Sequence, residues 1–381
     1  MRIGLDGIPL AATKTGIGHY TFELSSTLAR TNPDDDFQLI SPVPFVSPFD
    51  HHAPNLQKIE APKRKSWWLF GLPLYIRSQR LSLFHGTNYE IPFWNGCPTI
   101  LSIHDLSLLL HPKTHPGNLV RRARFRLPLM ARRATRVITA TEFVKKEVAE
   151  HLQVDLANIS VTPYAPRRNF RPLPLIEAEQ TRIRLGIAEK FILFVGTIEP
   201  RKNLITLLRA FSEVLRHTHL RPQLVIAGQK GWLMDETFTY INNENLGEFI
   251  KFTGYISDDD LRALYSCCDV CVYPSLYEGF GLPPLEAMAC GAPVIVSDVP
   301  SLTETTGTDA LLVPPKDIQE MAAGLVHMIT DNEKRSYFAR AGLKRAALFS
   351  WERTAQLTTE IYREVLAATN DSRKKAKAQR S

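Results

Sequence analysis

Cysteine is scarce and odd in number: Cys97, Cys267, Cys268, Cys271 and Cys290 are the five in 381 residues, which does not make a disulfide framework and fits a reducing compartment. Cys268 and Cys271 form a lone CxxC without a second pair or a nearby histidine to complete four zinc ligands. Their surroundings, Asp269-Val-Cys-Val-Tyr, read as a strand, so small core cysteines are expected. No Asp-x-Asp metal motif is apparent. Nor does any uncharged stretch approach the roughly 20 residues needed to span a bilayer. The opening Met-Arg-Ile-Gly-Leu-Asp breaks its apolar run at Asp6 and leaves no room for the apolar segment of a signal peptide. A cytosolic protein, at most peripheral at the inner face of a membrane, is the expectation.

What is present is globular in character, with 44% hydrophobic and 22% charged residues, so neither disorder nor a fibrous repeat describes the whole. A length of 381 residues, at about 150 per domain, points to two domains. The net charge of +7 is concentrated in two places. Arg121 to Arg136 holds seven arginines and no acid, and Asn370 to Ser381 holds five cations against Asp371. The remainder is slightly acidic. That distribution argues against a chain-wide nucleic-acid groove and allows a local anionic partner such as a membrane surface.

Short apolar runs alternate with helical patterns throughout, the signature of βα units on parallel sheets. One series of strands is expected at 2–6, 37–41, 99–103 and 136–140, with helices at 19–30 and 142–152 between them. A second is expected at 191–195, 223–227, 249–253, 270–273, 293–297 and 311–313. Between them, residues 162–179 carry Pro163, Pro166, Pro172 and Pro174, which disfavour helix and mark a linker. The resulting fold class is α/β, with two Rossmann-like doubly wound parallel-sheet domains facing across a cleft lined by strand carboxyl ends. The expected division is 1–172, joined by a last helix at about 351–368, and 173–350. Helical patterns also cover 316–330 and 333–348. The polar, basic stretch 369–381 is expected to be disordered.

The most informative segment runs from Pro274 to Gly291, after one strand and before another. Its glycines and prolines define a loop and then a short helix, with Pro284 suited to the first helical position and Glu286 in the first turn. Amides of Gly279, Phe280, Gly281 and Leu282 can then receive an anion or sugar oxygens. If Glu278 and Glu286 shared one helix they would lie roughly 12 Å apart, too far for either glycosidase geometry, so separate acceptors for hydroxyl groups are expected. The bland alternative is a surface loop and a helix whose N-terminus an acid stabilises.

A second segment, Phe191 to Leu204, is a buried-strand pattern ending in Gly196-Thr197, with Arg201 and Lys202 before a helix. Cations are unfavourable at a helix start unless an anion is present, and a guanidinium with an ammonium suits a diphosphate. In the first domain, Gly16-Ile-Gly18 precedes the helix near His19 and could bring amides to a phosphate. It is not a dinucleotide fingerprint, because a loop intervenes after the first strand and Thr21 takes the third glycine's place. His104-Asp105 ends the strand 99–103 and could contact substrate, although such a pair also serves capping or packing, as does His85.

Together these residues resemble the retaining nucleotide-sugar glycosyltransferases of glycosyltransferase family 4, the GT-B fold group that includes bacterial mannosyltransferases. The resemblance covers most of the chain. It rests on the E-x7-E motif from Glu278 to Glu286, on Gly196-Thr-Ile-Glu-Pro-Arg-Lys-Asn203, on Val294 to Glu304, and on Ala310-Leu-Leu-Val-Pro-Pro315. It implies that Arg201 and Lys202 hold the donor diphosphate, and that Glu278 with the amides of Phe280 and Gly281 orients the donor sugar. By the same resemblance Glu286 binds ribose hydroxyls, and the Gly16–Gly18 loop and His104 line the reaction site. The last helix is implied to cross back to the first domain. Many relatives carry an arginine where this chain has Thr197, and Arg201 stands as its replacement. The family mechanism is front-face transfer with retention, in which the departing phosphate helps to deprotonate the acceptor and cations with amides replace a divalent ion.

The leading expectation is an enzyme that transfers a hexose, mannose from GDP-mannose, to a lipid-linked or polysaccharide acceptor. It needs no cofactor beyond that co-substrate. Two alternatives stand beside it: a GT-B-shaped sugar-nucleotide epimerase or phosphorylase, and a non-catalytic anion or nucleic-acid binder. Arg121 to Arg136 and Lys63 to Phe70 could approach anionic lipid headgroups, or form a solvated arginine face and a buried aromatic segment.

Overall fold

The computed structural model describes residues 1–11, 16–45, 53–62, 66–94 and 96–378. The chain divides into two compact units, the first made of 1–106, 121–164 and 350–381, and the second of 107–120 and 165–349. The division falls at Tyr164–Ala165, ahead of the expected 172, because Arg167 is already held by side chains of the second unit.

The first unit is built on a seven-stranded sheet of β1 (Arg2–Asp6), β2 (Asp36–Ser41), β3 (Leu56–Glu60), β4 (Leu83–Gly86), β5 (Thr99–Ser102), β6 (Arg136–Thr139) and β7 (Ile159–Val161). Their order is β3-β2-β1-β4-β5-β6-β7 and every pairing is parallel. Three of these strands escape the sequence reading for physical reasons. β3 is an edge strand with Leu56 alone fully buried, β4 carries His85 and Gly86 in place of an apolar run, and β7 is only three residues long.

The second unit has a six-stranded parallel sheet of β8 (Phe191–Val195), β9 (Gln223–Ala227), β10 (Ile250–Gly254), β11 (Val270–Tyr273), β12 (Val294–Ser297) and β13 (Leu311–Val313). The order is β10-β9-β8-β11-β12-β13. All six fall on the expected segments; β8, β9, β11 and β12, covered on both faces, are nearly continuous hydrophobic sequence, whereas the edge strand β10 has Ile250 as its one buried residue. Ile192, Phe194, Leu224, Ile226 and Val272 are fully buried against Leu207, Leu208 and Phe211 of the helix Leu204–His217. Each such side chain contributes about 1.5–3 kcal/mol relative to exposure. Cys268 and Cys271 are buried beside and within β11, and burial raises both thiol pKa values, so this CxxC is core material.

The helix Trp351–Ala378 belongs to the first unit. Asn32 donates to Thr359 Oγ1 at 3.1 Å, Thr354 donates to the Pro163 carbonyl at 2.6 Å, and the Trp351 ring stacks on Tyr164. Tyr362 reaches deepest, its hydroxyl 2.6 Å from His85 Nδ1, while His85 Nε2 lies 2.8 Å from Ser102 Oγ, which in turn meets the Tyr20 hydroxyl. Burial lowers the His85 pKa to about 3, so the imidazole is neutral and serves as a relay of structural hydrogen bonds. The helix also continues to Ala378, against the expectation of disorder from 369; residues 379–381 of that expected tail lie outside the described residues. Propagating an established helix adds one bond per residue fixed, even where the sequence is polar.

Tyr362→Phe removes the partner of a buried imidazole nitrogen and should cost about 1–3 kcal/mol. Urea denaturation measures this; an unchanged midpoint and slope would show that the helix docks without the relay.

Candidate active site

The site of the second unit grows from two adjacent strands, β8 and β11, whose carboxyl ends release the two motif loops side by side. After β8 the chain passes Gly196 and Thr197 and makes one 3-10 turn, Pro200–Lys202. Gly196 has φ +151, and a Cβ on Gly228, at the end of β9, would lie 2.0 Å from the Gly196 carbonyl oxygen. Both positions therefore need glycine. Asn203 follows in the left-handed region at φ 54, which asparagine tolerates. Its Nδ2 donates to the carbonyls of Pro274 at 2.9 Å and Pro315 at 2.6 Å, tying the loops after β8, β11 and β13 together.

That stitching brings Lys202 to Glu278. Lys202 Nζ donates to Glu278 Oε1 and to the Tyr273 hydroxyl, each at 2.5 Å. Arg201 Nη1 lies 3.1 Å from Glu278 Oε2 and donates to the Tyr277 carbonyl at 3.0 Å, while Nη2 donates to Glu199 at 2.7 Å. Glu199, Lys202 and Glu278 are each less than a tenth exposed. Burial alone would raise the Glu278 pKa, but Arg201 and Lys202 outweigh it and hold the carboxyl down to about 2. Burial lowers the Lys202 pKa, with Glu278 pulling the other way and Arg201 adding to the fall. Two cations and two carboxylates thus form a closed, neutral cluster. An ammonium has three donors, of which two are used, so one N–H of Lys202 remains for an anion.

Gly279, Phe280 and Gly281 lead from Glu278 into the helix Leu282–Ala289. Gly281 is left-handed at φ 95, and a Cβ there would meet Leu302 at 2.5 Å. Thr305 anchors the loop by donating to the Phe280 carbonyl at 2.6 Å. The helix begins at Leu282, so Pro283 and Pro284 occupy its second and third positions and Glu286 lies beyond the first turn. The two prolines remove N–H donors that an average helix start would offer.

Glu286 is not drawn into the Lys202 cluster. Arg167 forks onto it, Nε to Oε1 and Nη2 to Oε2 both at 2.7 Å, and extends Nη1 to Asp258 at 2.6 Å. The Arg167 guanidinium also lies over the Phe170 ring, 4.0 Å from its centroid. With Glu286 3% exposed, this is a buried bidentate pair that fixes the start of the second unit to the motif helix. Sequence reasoning missed Arg167 because it stands in a proline-rich stretch that reads as linker; Glu199 and Tyr273 were missed because a lone acid after a strand and a strand tyrosine carry no spacing signal.

A family model described as "Glycosyl transferases group 1" matches residues 177–345, and one described as "Glycosyltransferase Family 4" matches residues 15–165. The chain is a glycosyltransferase of family 4. It is 29% identical over 392 residues to O-antigen chain mannosyltransferase B of Escherichia coli, an alignment that takes in 95% of this chain and 100% of that one. To the serotype-specific mannosyltransferase WbdA of Escherichia coli it is 30% identical over 282 residues, covering 72% of this chain but 34% of the longer protein. Among solved structures, sucrose-phosphate synthase from Thermosynechococcus elongatus matches with a TM-score of 0.77 at 23% identity, over 97% of this chain and 100% of that one. That likeness, with the two parallel sheets, establishes the GT-B fold.

The glycosyltransferase places its remaining sequence-predicted residues in the first unit. The helix Gly16–Thr31 opens at Gly16, where added side-chain volume would meet nothing within 4 Å, and Gly18 is buried in its first turn. The loop residues 12–15 before it lie outside the described residues. His104 follows β5 with both ring nitrogens engaged: Nδ1 at 2.6 Å from the Tyr164 hydroxyl, and Nε2 at 2.8 Å from the Thr87 carbonyl, to which it donates. Burial lowers its pKa to about 4, so His104 is a neutral, anchored imidazole and no free base. Among the described residues no group of three or more His, Cys, Asp or Glu is placed to hold a metal ion. The aspartate runs 34–36 and 258–260 do satisfy Asp-x-Asp literally, but Asp258 and Asp260 pair with Arg167 and Arg184, and Asp36 lies 3.8 Å from Arg2.

The depressed pKa of Glu278 carries a sign. Its stabilising contribution is complete above the ordinary carboxylate value of 4.5 and is lost as pH falls toward about 2. Glu278→Gln should therefore lose less stability than the wild type between pH 5 and pH 2.5, measured by urea unfolding; parallel losses would show that the carboxylate is not paired.

Proposed function

We propose that this glycosyltransferase moves a hexose, mannose from GDP-mannose, onto a glycan or lipid-linked acceptor in the assembly of a surface polysaccharide, with retention at the anomeric carbon. The observation that carries this reading is the Lys202–Glu278–Arg201 cluster at the ends of β8 and β11, in a chain alignable along its length with O-antigen chain mannosyltransferase B. In the proposed step the bond from sugar C1 to the diphosphate oxygen breaks and a bond from C1 to an acceptor hydroxyl oxygen forms on the same face. The hydroxyl proton passes to the departing diphosphate. Negative charge grows on the leaving group, and the spare Lys202 donor, Arg201 and the amides of Gly281 and Leu282 are the groups suited to receive it.

Glu278 keeps a second lone pair on each oxygen beyond its ion pairs, enough to accept hexose hydroxyls, and Glu286 has the same capacity beside Arg167 for ribose hydroxyls. An epimerase or phosphorylase would use the same fold, and a non-catalytic binder the same charges. Both lack support from the mannosyltransferase relatives.

Lys202→Ala should weaken GDP-mannose binding and turnover together, by about 1.5–3 kcal/mol, or roughly tenfold to 150-fold. Thermal shift across a panel of nucleotide sugars identifies the donor, because a ligand of the folded state raises the midpoint. A panel in which no nucleotide sugar shifts the wild type would defeat the reading.

A peripheral membrane contact is favoured by a second observation. No helix among the described residues is long and apolar enough to cross a membrane. In the first unit, however, Phe70, Trp94 and Phe125 are 54%, 65% and 76% exposed. Phe93 N–H donates to the Trp68 carbonyl, Arg133 donates to the Phe93 carbonyl, and Arg126 lies over the Phe93 ring, so these aromatics share one neighbourhood. Of the seven arginines, Arg122 and Arg126 pair with Glu90, and Arg132, Arg133 and Arg136 bond backbone carbonyls. Arg121 and Arg124, four and one positions before Phe125, have no ion pair or side-chain hydrogen bond among the described residues and are suited to anionic headgroups; Lys63, Arg64 and Lys65 lie outside the described residues. Flotation with anionic vesicles should carry the protein upward and Phe125→Ser should reduce it. Equal flotation with neutral vesicles would remove the electrostatic part.

A further inference from the structure

Asp6 ends β1 and carries a nearly buried carboxylate with one hydrogen bond to it among the described residues. It is 2% exposed. Oδ1 accepts the Ile8 N–H at 3.1 Å, while Oδ2 has no partner and the carboxylate no cation among the described residues. A carboxylate this nearly buried with one hydrogen bond is poorly compensated, and an oxygen left at the edge of the burial points to a donor that arrives from outside. Burial pushes its pKa up to about 7, with the Ile8 amide opposing and Glu90 adding to the rise.

The position in the sheet supports this independently. β1 pairs with β2 on one side and β4 on the other, so strand order reverses between β1 and β4. Open α/β sheets take ligands outside the carboxyl ends at such a switch point. Asp6 is the last residue of β1, and Thr87, directly after β4, donates its hydroxyl to the Asp6 carbonyl at 2.9 Å. The same Thr87 accepts from His104 through its own carbonyl, so the ends of β1, β4 and β5 are joined at one residue.

The loop beyond is held in a strained form. Tyr89 adopts φ 59, a left-handed conformation costly for an aromatic residue, and its hydroxyl accepts the Asp105 N–H at 3.1 Å. A Cβ on Gly86 would lie 1.9 Å from the Glu90 carbonyl oxygen, so the loop folds back tightly on the strand end. The Tyr89 ring stands edge-on to His104, 5.3 Å between centroids.

We propose that Asp6 receives a hydroxyl of the acceptor sugar, its Oδ2 accepting that hydrogen bond, with His104 and Tyr89 as positioning residues. The assignment rests on the glycosyl-transfer reading and extends it to the acceptor. It calls for a polyol rather than an anion, because a phosphate would meet an acidic carboxyl and Glu90.

The experiment measures binding apart from turnover. A mannose oligosaccharide with a fluorescent tag at its reducing end is titrated with full-length wild type and Asp6→Asn, and anisotropy is read. Asn retains an oxygen for the Ile8 amide and carries no charge to bury, so its thermal midpoint should equal or exceed the wild type's. The expected result is binding to the wild type and about tenfold or weaker binding to the variant, as for loss of a charged hydrogen bond. GDP should shift the midpoint of both proteins equally. Equal binding by both proteins, or none by the wild type, overturns the assignment. Asp6→Ser repeats the comparison if Asn fails to fold. GDP-mannose turnover on the same wild-type preparation is read separately: its absence would sink glycosyl transfer while leaving the anisotropy comparison intact.

Discussion

The second unit is organised around one buried ion cluster, Lys202 and Arg201 with Glu278 and Glu199. Neither cation would be tolerable inside the protein alone, and burial without them would push the Glu278 pKa up. Their mutual neutralisation lets charge-bearing groups stand in a dry setting, where charges act on one another far more strongly than they would in water. Everything nearby can be understood as holding this arrangement: the glycine pair that lets β8 and β9 end in close approach, Asn203 bridging three loops, and Thr305 fixing the turn before the motif helix.

The two glutamates of the E-x7-E motif illustrate how equal residues acquire different work. Glu278 meets a lysine and an arginine from the neighbouring strand's loop, a partnership that a substrate anion can perturb. Glu286 meets a planar fork with both oxygens matched, and Arg167 is further committed to Asp258. One pair belongs to a four-charge cluster at two strand ends and the other fastens a chain segment to the helix. Any ribose contact by Glu286 uses lone pairs left over from that fastening.

Much of this was legible beforehand, and the exceptions have physical causes. The inner strands of the second sheet are apolar on both faces, so runs such as Phe191–Val195 announce themselves, whereas Leu56–Glu60 at a sheet edge and the polar-containing Leu83–Gly86 do not. The grouping of Lys202, Arg201 and Glu278 follows from glycine and proline punctuation at strand ends. The capture of Glu286 by Arg167 depends on side chains meeting across 119 positions of chain, which no local pattern encodes, while Glu199 pairs with Arg201 two residues away through a turn that the sequence does not spell out. His104 was placed correctly at a strand end, but that its two nitrogens are consumed by Tyr164 and Thr87 is a fact of packing.

The first unit contains the chain's beginning and also the helix Trp351–Ala378, whose Tyr362 closes the buried chain through His85 to Ser102 and Tyr20. During synthesis, the entire 165–349 segment emerges before that helix does. The second unit can reach its native form on the ribosome while the earlier one still exposes the seat for its final helix. A stalled or prematurely ended product would therefore carry a finished second unit and a first unit whose helix seat is still open, an asymmetry within one chain.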